Sequence, residues 1–356
     1  MYDIAIIGAG PGGAILAKEL KRRLPNFKIA IADGLSEGQS KVCGGLISPD
    51  AKKELSSLGI EIPDSIRVFP KSPYVDTLDL TAGIKKRYER DYINTDRQAF
   101  DRYLLSLVSG VDIFRGRCVR VEKDAGGFVC RVSQDGKLTE IKSRLIAGAD
   151  GAFSIVRQSL FPDRKIYRYT AIQEWYEAFD DSLPAYSCIY DEKTSDSCSW
   201  TIRKDGFYIF GGAFKTEGCR AAFESQKARL EDFFGRKFPA PVRREACLVC
   251  CPKKKSEIFL GGGGAYLLGE AAGLISASSF EGISSAIRSG RLLAEAVAES
   301  SSIEEITSSY KKKTGKLRLK IALKIPKMKI LTTPALRKLI MKSGITAKRE
   351  DSRELE

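Results

Sequence analysis

The sequence has no histidine. That absence removes the Ser–His–Asp triad, the imidazole general base and every His-ligated metal site. Acid–base work must fall to Asp, Glu, Lys, Tyr, Cys, water or a bound cofactor. Long apolar runs are also missing. The best candidate, residues 258–277, is broken by Gly261 to Gly264 and by Glu270, so no span of about 20 apolar residues is expected to cross a membrane. No charged n-region opens the chain, because Asp3 stands where one would begin, and a secretory signal is not expected. The 9 cysteines are odd in number and scattered, which fits free thiols in a reducing, cytoplasmic setting. Cys247, Cys250 and Cys251 have no second cysteine pair at ligand spacing, so no metal site is expected. Acidic residues are missing from residues 311–349. That segment holds 14 Lys or Arg, so it carries the whole net charge of +14.

What is present is organised around the first twenty residues. Asp3 to Ile7 reads as an apolar strand. Gly8, Gly10 and Gly13 then fall on the spacing G-x-G-x-x-G, with Pro11 and Gly12 inside it, and residues 14–24 read as a helix. Gly8 permits the turn, Gly10 lets a pyrophosphate approach the backbone, and Gly13 lets helix and strand pack closely. The phosphates would rest on unpaired N–H groups at the helix N-terminus. A second apolar strand, residues 28–32, ends at Asp33, where a ribose-binding acid belongs. This combination predicts a dinucleotide site. No second G-x-G-x-x-G follows, so a nicotinamide cofactor has no domain of its own.

At 356 residues and 43% hydrophobic content, the chain is long enough for one or two packed domains. Residues 34–50 read as a loop ending at Cys43, Gly44 and Gly45. A helix is expected over Asn94–Leu107 with Thr95 as its cap. Strands are expected at 111–115, 118–123, 128–133 and 145–149, the last ending in Asp150-Gly151. Residues 165–265 are strand-dominated, with one helix at about Cys219–Phe234, and read as a mostly antiparallel second sheet. A long helix follows at 281–299. In the basic segment, Leu317, Ile321, Ile325 and Met328 are spaced to form one apolar helix face, kinked near Pro326. Three readings stand open for it: an anionic membrane surface, a solvated cap on the core, or nucleic acid without a reading module.

Three further stretches narrow the dinucleotide: residues 147–157 (Asp150, Gly151, Ser154, Arg157), residues 267–276 (Gly269, Glu270) and Phe280-Glu281-Gly282. With residues 41–50, 94–104 and 199–206, they resemble the para-hydroxybenzoate hydroxylase-like flavoproteins and, within them, the geranylgeranyl reductase family. Residues 269–284 and 334–344 are most similar to its CbrA-type FAD-binding subgroup. The resemblance spans nearly the whole chain. It implies an α/β fold: a Rossmann-like FAD-binding domain of the glutathione reductase and para-hydroxybenzoate hydroxylase type (1–65, 90–165 and 258–300), a sheet-rich substrate domain (66–89 and 166–257), and a basic helical C-terminal region (301–356).

It also implies roles. Gly8, Gly10, Pro11, Gly12 and Gly13 would hold the pyrophosphate of FAD, and Asp33 the adenosine ribose. Cys43, Gly44 and Gly45 would lie near the isoalloxazine, Cys43 with a catalytic part. Arg97 would contact the phosphate or ribityl region, and Val119 would offer backbone to adenine. Asp150 and Gly151 would contact the ribose and pyrophosphate side, Gly269 and Glu270 the ribityl chain. Gly282 and Ile283, at a helix N-terminus, would face the flavin's pyrimidine carbonyl. Tyr190, Trp200, Tyr208 and Phe210 are expected to line a substrate cavity. Two departures are visible. Most relatives carry Gly-Asp where this chain has Gly269-Glu270, and Arg203-Lys204 follows Thr201-Ile202 without the proline common in geranylgeranyl reductases. The expected function is an FAD-dependent oxidoreductase reducing carbon–carbon double bonds of a hydrophobic, isoprenoid or lipid, substrate, with NAD(P)H or a protein as electron donor. Alternatives are an FAD-dependent monooxygenase and a membrane-associated flavin-binding protein without steady turnover. The expected location is the cytoplasm, with peripheral attachment to the inner face of the membrane.

Overall fold

The computed structural model of the chain describes residues 1–34 and 41–343. Residues 35–40 of the expected loop and 344–349 of the basic segment lie outside the described residues.

The chain opens with β1 (Tyr2–Ile7), α1 (Pro11–Arg23), β2 (Ile29–Asp33), β3 (Leu46–Ile47), α2 (Pro49–Ser57), β4 (Ser72–Asp79) and β5 (Ile84–Asn94). It continues through α3 (Arg97–Ser106), β6 (Asp112–Arg115), β7 (Arg117–Asp124), β8 (Gly127–Gln134), β9 (Lys137–Gly148), α4 (Ile155–Leu160) and β10 (Arg168–Glu177). Then come β11 (Tyr186–Tyr190), β12 (Cys198–Lys204), β13 (Phe207–Phe214), α5 (Cys219–Phe234), β14 (Arg243–Cys250), β15 (Gly261–Gly262) and β16 (Ala265–Leu267). Four helices follow among the described residues: α6 (Ile283–Ala298), α7 (Ile303–Lys313), α8 (Gly315–Thr332) and α9 (Pro334–Ser343).

Two sheets result. In the first, the path β15-β16-β9-β1-β2-β6 carries a side hairpin, β7-β8, on β9. β1 pairs in parallel with β2 and with β9, and β16 is parallel to β9. These strands are apolar because both faces are covered, by α1 and α6 on one side and the β7-β8 hairpin on the other. Residues on the hairpin's packed side, Val121, Phe128, Cys130 and Val132, belong to the same core as Ile4, Ile6, Leu16 and Leu293. The second sheet runs β14-β10-β13-β12-β11-β4-β5-β3, antiparallel except where β11 meets β4. One of its faces packs under α5 around Phe210, Phe214 and Phe223. The other faces the first sheet through Tyr169, Ala171, Ala213 and Trp200, against Ala152, Ile275 and Phe280.

Local departures from expectation have simple causes. Helix α3 begins two residues beyond Thr95, and its cap is Asp96, whose carboxylate accepts the Ala99 N–H at 2.8 Å. Thr95 is fully buried and donates its hydroxyl to the Gly45 carbonyl at 2.7 Å instead. α8 is continuous through Pro326. Its Leu317, Ile321 and Met328 are buried, and Ile325 packs with Met328 beside Tyr169. The apolar face read from the sequence is therefore spent on the core. Among the described residues, no helix is long and apolar enough to cross a membrane.

The last helix is tied down by a charge the sequence reading passed over. Arg337 is 1% exposed. Its guanidinium donates to both Asp79 oxygens at 2.7 and 3.0 Å and to Glu192 at 2.7 Å. A buried guanidinium persists only when paired in this way, so α9 is locked to β4 and to the segment just after β11.

Candidate functional site

The carboxyl ends of β1, β9 and β16 meet the inward face of the second sheet, and Gly8, Gly12, Asp150, Gly151, Gly269 and Glu270 are brought together there. The first wall is made of backbone. Gly8 has φ +106°, and a side chain there would press its Cβ to 2.5 Å from the Ala149 carbonyl oxygen. At Gly13 a Cβ would collide with the Gly8 carbonyl, while Gly10 faces open space. α1 starts at Pro11 with no side-chain cap and no acid in its first turn. Its first N–H groups are left for an anion, and its positive dipole end is uncompensated. Asp33 ends β2 beside the Arg115 guanidinium. Val119 falls at the register shift between Cys118 and Arg120, a bulge that leaves its backbone outside the ladder.

Asp150 and Gly151 follow β9. One Asp150 oxygen, Oδ2, accepts the Ile155 N–H at 2.7 Å. The other, Oδ1, is buried and has no hydrogen-bond partner. Burial, opposed by Ser154 and neighbouring N–H groups, raises the Asp150 pKa to about 6. Ser154 and Arg157 serve the frame instead. The Ser154 hydroxyl caps α4. Arg157 donates to the carbonyls of Arg164, Glu257 and Ala271, and so fastens the turn that carries Gly269 and Glu270.

Gly269 has φ +53°, and its N–H donates to Ser289 Oγ at 2.9 Å. Glu270 accepts the Cys250 N–H at 2.9 Å through one oxygen and pairs with Lys41 through the other. The extra methylene relative to aspartate is what lets it reach across to β14. Gly282 caps α6 without a side-chain bond. Two residues before it, Phe280 holds φ +52°, a strained conformation for an aromatic residue. Glu281 is held by the Tyr92 hydroxyl at 2.6 Å and by Arg90.

The loop with Cys43, Gly44 and Gly45 crosses between the walls. Cys43 Sγ accepts the Gly45 N–H at 3.4 Å. Burial pushes the thiol up, but the Arg97 guanidinium, the Gly45 N–H and Lys41 outweigh it and hold the pKa below its ordinary value. Arg97 itself bonds Asp101 Oδ1 at 2.9 Å. A Cβ on Gly44 would collide with Ile202, and Gly45 has φ +72°. Lys204, 6% exposed, donates to the Gly44 and Thr95 carbonyls at 2.8 and 2.6 Å. Burial brings its pKa down to about 8. Sequence reading missed Lys204, although a signal was there. Cys198, Trp200, Ile202 and Lys204 alternate along β12, so the lysine shares the inward face.

The four expected substrate residues are split by that same alternation. Tyr190 pairs opposite Cys198, and Cys188 opposite Trp200, which places Tyr190 and Trp200 on the inward face. The Trp200 Nε1 donor is buried without a partner. Tyr208 and Phe210 point the other way. They are 2% and 0% exposed, packed with Phe223 and Phe238 beneath α5. Cys247, Cys250 and Cys251 each direct their sulfur to a different carbonyl, those of Val42, Ala152 and Ala277.

No family model matches the chain. A geranylgeranyl bacteriochlorophyll reductase-like protein from Thermoplasma acidophilum superposes with a TM-score of 0.78 at 18% identity, covering 98% of this chain and 92% of that one. A flavin-dependent brominase gives 0.67 at 17% identity, over 98% and 95%. The p-nitrophenol 4-monooxygenase from Pseudomonas putida DLL-E4 gives 0.68 at 14%, over 96% and 93%. The fold is thus the one these three proteins share. The protein CbrA of Escherichia coli O6:H1 is 38% identical over 347 residues, 97% of this chain and 94% of that protein, and CbrA of Shigella dysenteriae serotype 1 is 39% identical over the same length. At that identity and coverage, the chain belongs to the CbrA family.

Proposed function

We propose that the chain is an FAD-dependent oxidoreductase that reduces carbon–carbon double bonds of a hydrophobic substrate. The observation that carries the cofactor is Asp150 Oδ1, a buried acceptor without a donor, on a residue whose backbone lies against the Gly8 turn; α1 and α6 both begin without a side-chain cap. A buried carboxylate oxygen is left unmatched at a cost of about 1–3 kcal/mol, which a ribose or ribityl hydroxyl would recover. FAD, when bound, supplies the hydride chemistry. The α1 N-terminus binds the diphosphate, and Asp33 and the Val119 backbone hold the adenosine end. Gly269 and Glu270 border the ribityl chain. The α6 N-terminus, lacking any acid in its first turn, stabilises negative charge placed before it.

Lys204 and Arg97 fix the Cys43–Gly45 loop, with the sulfur as an electron-rich group beside the cofactor. Trp200, Ile202 and Phe280 keep water out and favour an apolar substrate. Two observations support reduction over oxygenation: the fold likeness is greater to the reductase-like protein than to the monooxygenase, and residues 41–50 resemble the reductase loop.

The test is anaerobic. The FAD-loaded protein, reduced chemically, is mixed with a lipid extract and the products are followed by mass spectrometry. Lipids that gain two hydrogens as the flavin reoxidises are expected. Hydroxylated products formed only with oxygen would replace this reading with a monooxygenase. Loaded protein that reoxidises with neither would leave a flavin-binding protein without turnover.

A further inference from the structure

α8 carries two apolar stripes on opposite sides. At about 100° per residue, Leu317, Ile321 and Met328 fall within one wedge of about 40°, and these are the residues buried on the core. Leu319, Leu323 and Ile330 fall within a second wedge of similar width, centred roughly 200° away. They are 56%, 63% and 40% exposed. On α9, Leu336 and Leu339 are 44% and 65% exposed. Of the 16 large apolar residues exposed among the described residues, these 5 lie between positions 319 and 339. The α8 stripe is a continuous exposed apolar face, and the next helix adds further exposed leucines; exposure so concentrated on two consecutive helices marks an interaction surface rather than ordinary scatter.

Its charge decides the partner. Lys316 and Lys327 border the outer stripe of α8 on one side, Arg318 and Lys329 on the other. Lys338 and Lys342 lie on α9, and the segment contains no carboxylate of its own. A second copy of the chain would bring like charge against like. Nucleic acid would match the lysines but leave the leucines in water. Of these three, the anionic bilayer answers both.

We propose that the outer face of α8 and α9 docks in the headgroup layer of an anionic phospholipid membrane, leucines entering the acyl boundary and lysines on lipid phosphates. The inner stripe and the Arg337 anchor hold the two helices rigid on the body, so the docking surface is preformed. The membrane face is therefore not the one that sequence spacing alone suggests.

The test is flotation of the full chain with vesicles of phosphatidylglycerol and phosphatidylcholine, against vesicles of phosphatidylcholine alone. Binding to the anionic vesicles, weakened by salt, is expected. The pair Leu319→Gln and Leu323→Gln should lower it by roughly tenfold or more, from the apolar area no longer buried. The pair Lys316→Gln and Lys327→Gln should lower it severalfold. These side chains are exposed, so melting temperature and flavin uptake should not change in either variant. No binding by the wild-type chain, equal binding to both vesicle types, unchanged binding by the leucine variant, or a dimer that the leucine variant abolishes would each overturn the proposal.

Discussion

Gly8, Gly10 and Gly13 shape one wall of the candidate site through backbone alone, whereas Trp200, Ile202 and Lys204 shape the other through side chains that alternate along β12. The first wall offers N–H groups and helix dipoles, which hold any diphosphate whatever the substrate. The second offers an indole, an aliphatic surface and a buried ammonium, which are specific to what must fit there. At Gly8 and Gly13 the first wall tolerates no added atom, because a Cβ there would collide with the Ala149 or Gly8 carbonyl. The second tolerates change at a cost that depends on which face of the sheet is altered. On the function proposed above, cofactor recognition and substrate recognition are separated into two kinds of structure, and the difference can be attacked from either side.

The largest effect is expected on the backbone wall. Gly13→Val places a branched side chain where α1 meets the β1 turn, and a loss of about 4 kcal/mol or more is expected, read as failure to fold or to retain FAD. A native melting curve with normal flavin content would break the close-packing argument. On the second sheet, Phe210→Ala should cost about 3–5 kcal/mol by urea denaturation, as for a large aromatic removed from a core. It should leave the substrate KM of the surviving folded protein unchanged. Trp200→Ala should do the reverse, raising KM by tenfold or more on the order of a lost apolar contact, with a smaller stability change. Equal effects on KM from both would dissolve the distinction between the faces.

A pH-dependent effect follows from Asp150. Its folded pKa, raised to about 6, lies above that of the unfolded chain. The folded apo-protein holds a proton the unfolded chain has already released, so apo stability falls as pH rises from about 4 to 6, by about 3 kcal/mol, and is level above that. A ligand hydroxyl donating to the ionised carboxylate makes FAD affinity rise over the same window. Asp150→Asn should flatten both profiles; unchanged profiles would remove Asp150 from the site. The smallest effect is expected at Glu270. Glu270→Gln keeps an acceptor for the Cys250 N–H but releases Lys41, and a severalfold loss of FAD affinity by fluorescence titration is expected. An affinity equal to wild type would leave Glu270 a purely structural tie.

The two walls also differ in how far they could be read in advance. Backbone requirements leave marks in the sequence. Glycines at fixed spacing, an acid at the end of β2 and the Asp150-Gly151 strand end were all legible, and helix α5 stands where its pattern put it. Side-chain faces leave weaker marks. Tyr208 and Phe210 looked equivalent to Trp200 until the register of β11, β12 and β13 showed which parity points inward. Asp79 and Arg337 are 258 positions apart, and no local pattern announces such a pair. In α8, two opposed stripes cancel each other's amphipathic signal, so only the packed structure separates the face on the core from the face in solvent. Phe280 gave no hint of its positive φ, because strain is imposed by its neighbours rather than by its own preference.

The central claim is a bound FAD, and the most direct measurement is the absorbance spectrum of the purified protein after incubation with FAD and removal of the excess. Retained flavin absorbance, with one FAD per chain and a marked loss in the paired variant Asp33→Ala and Asp150→Asn, is the expected result. A folded, colourless protein that takes up no FAD would contradict it.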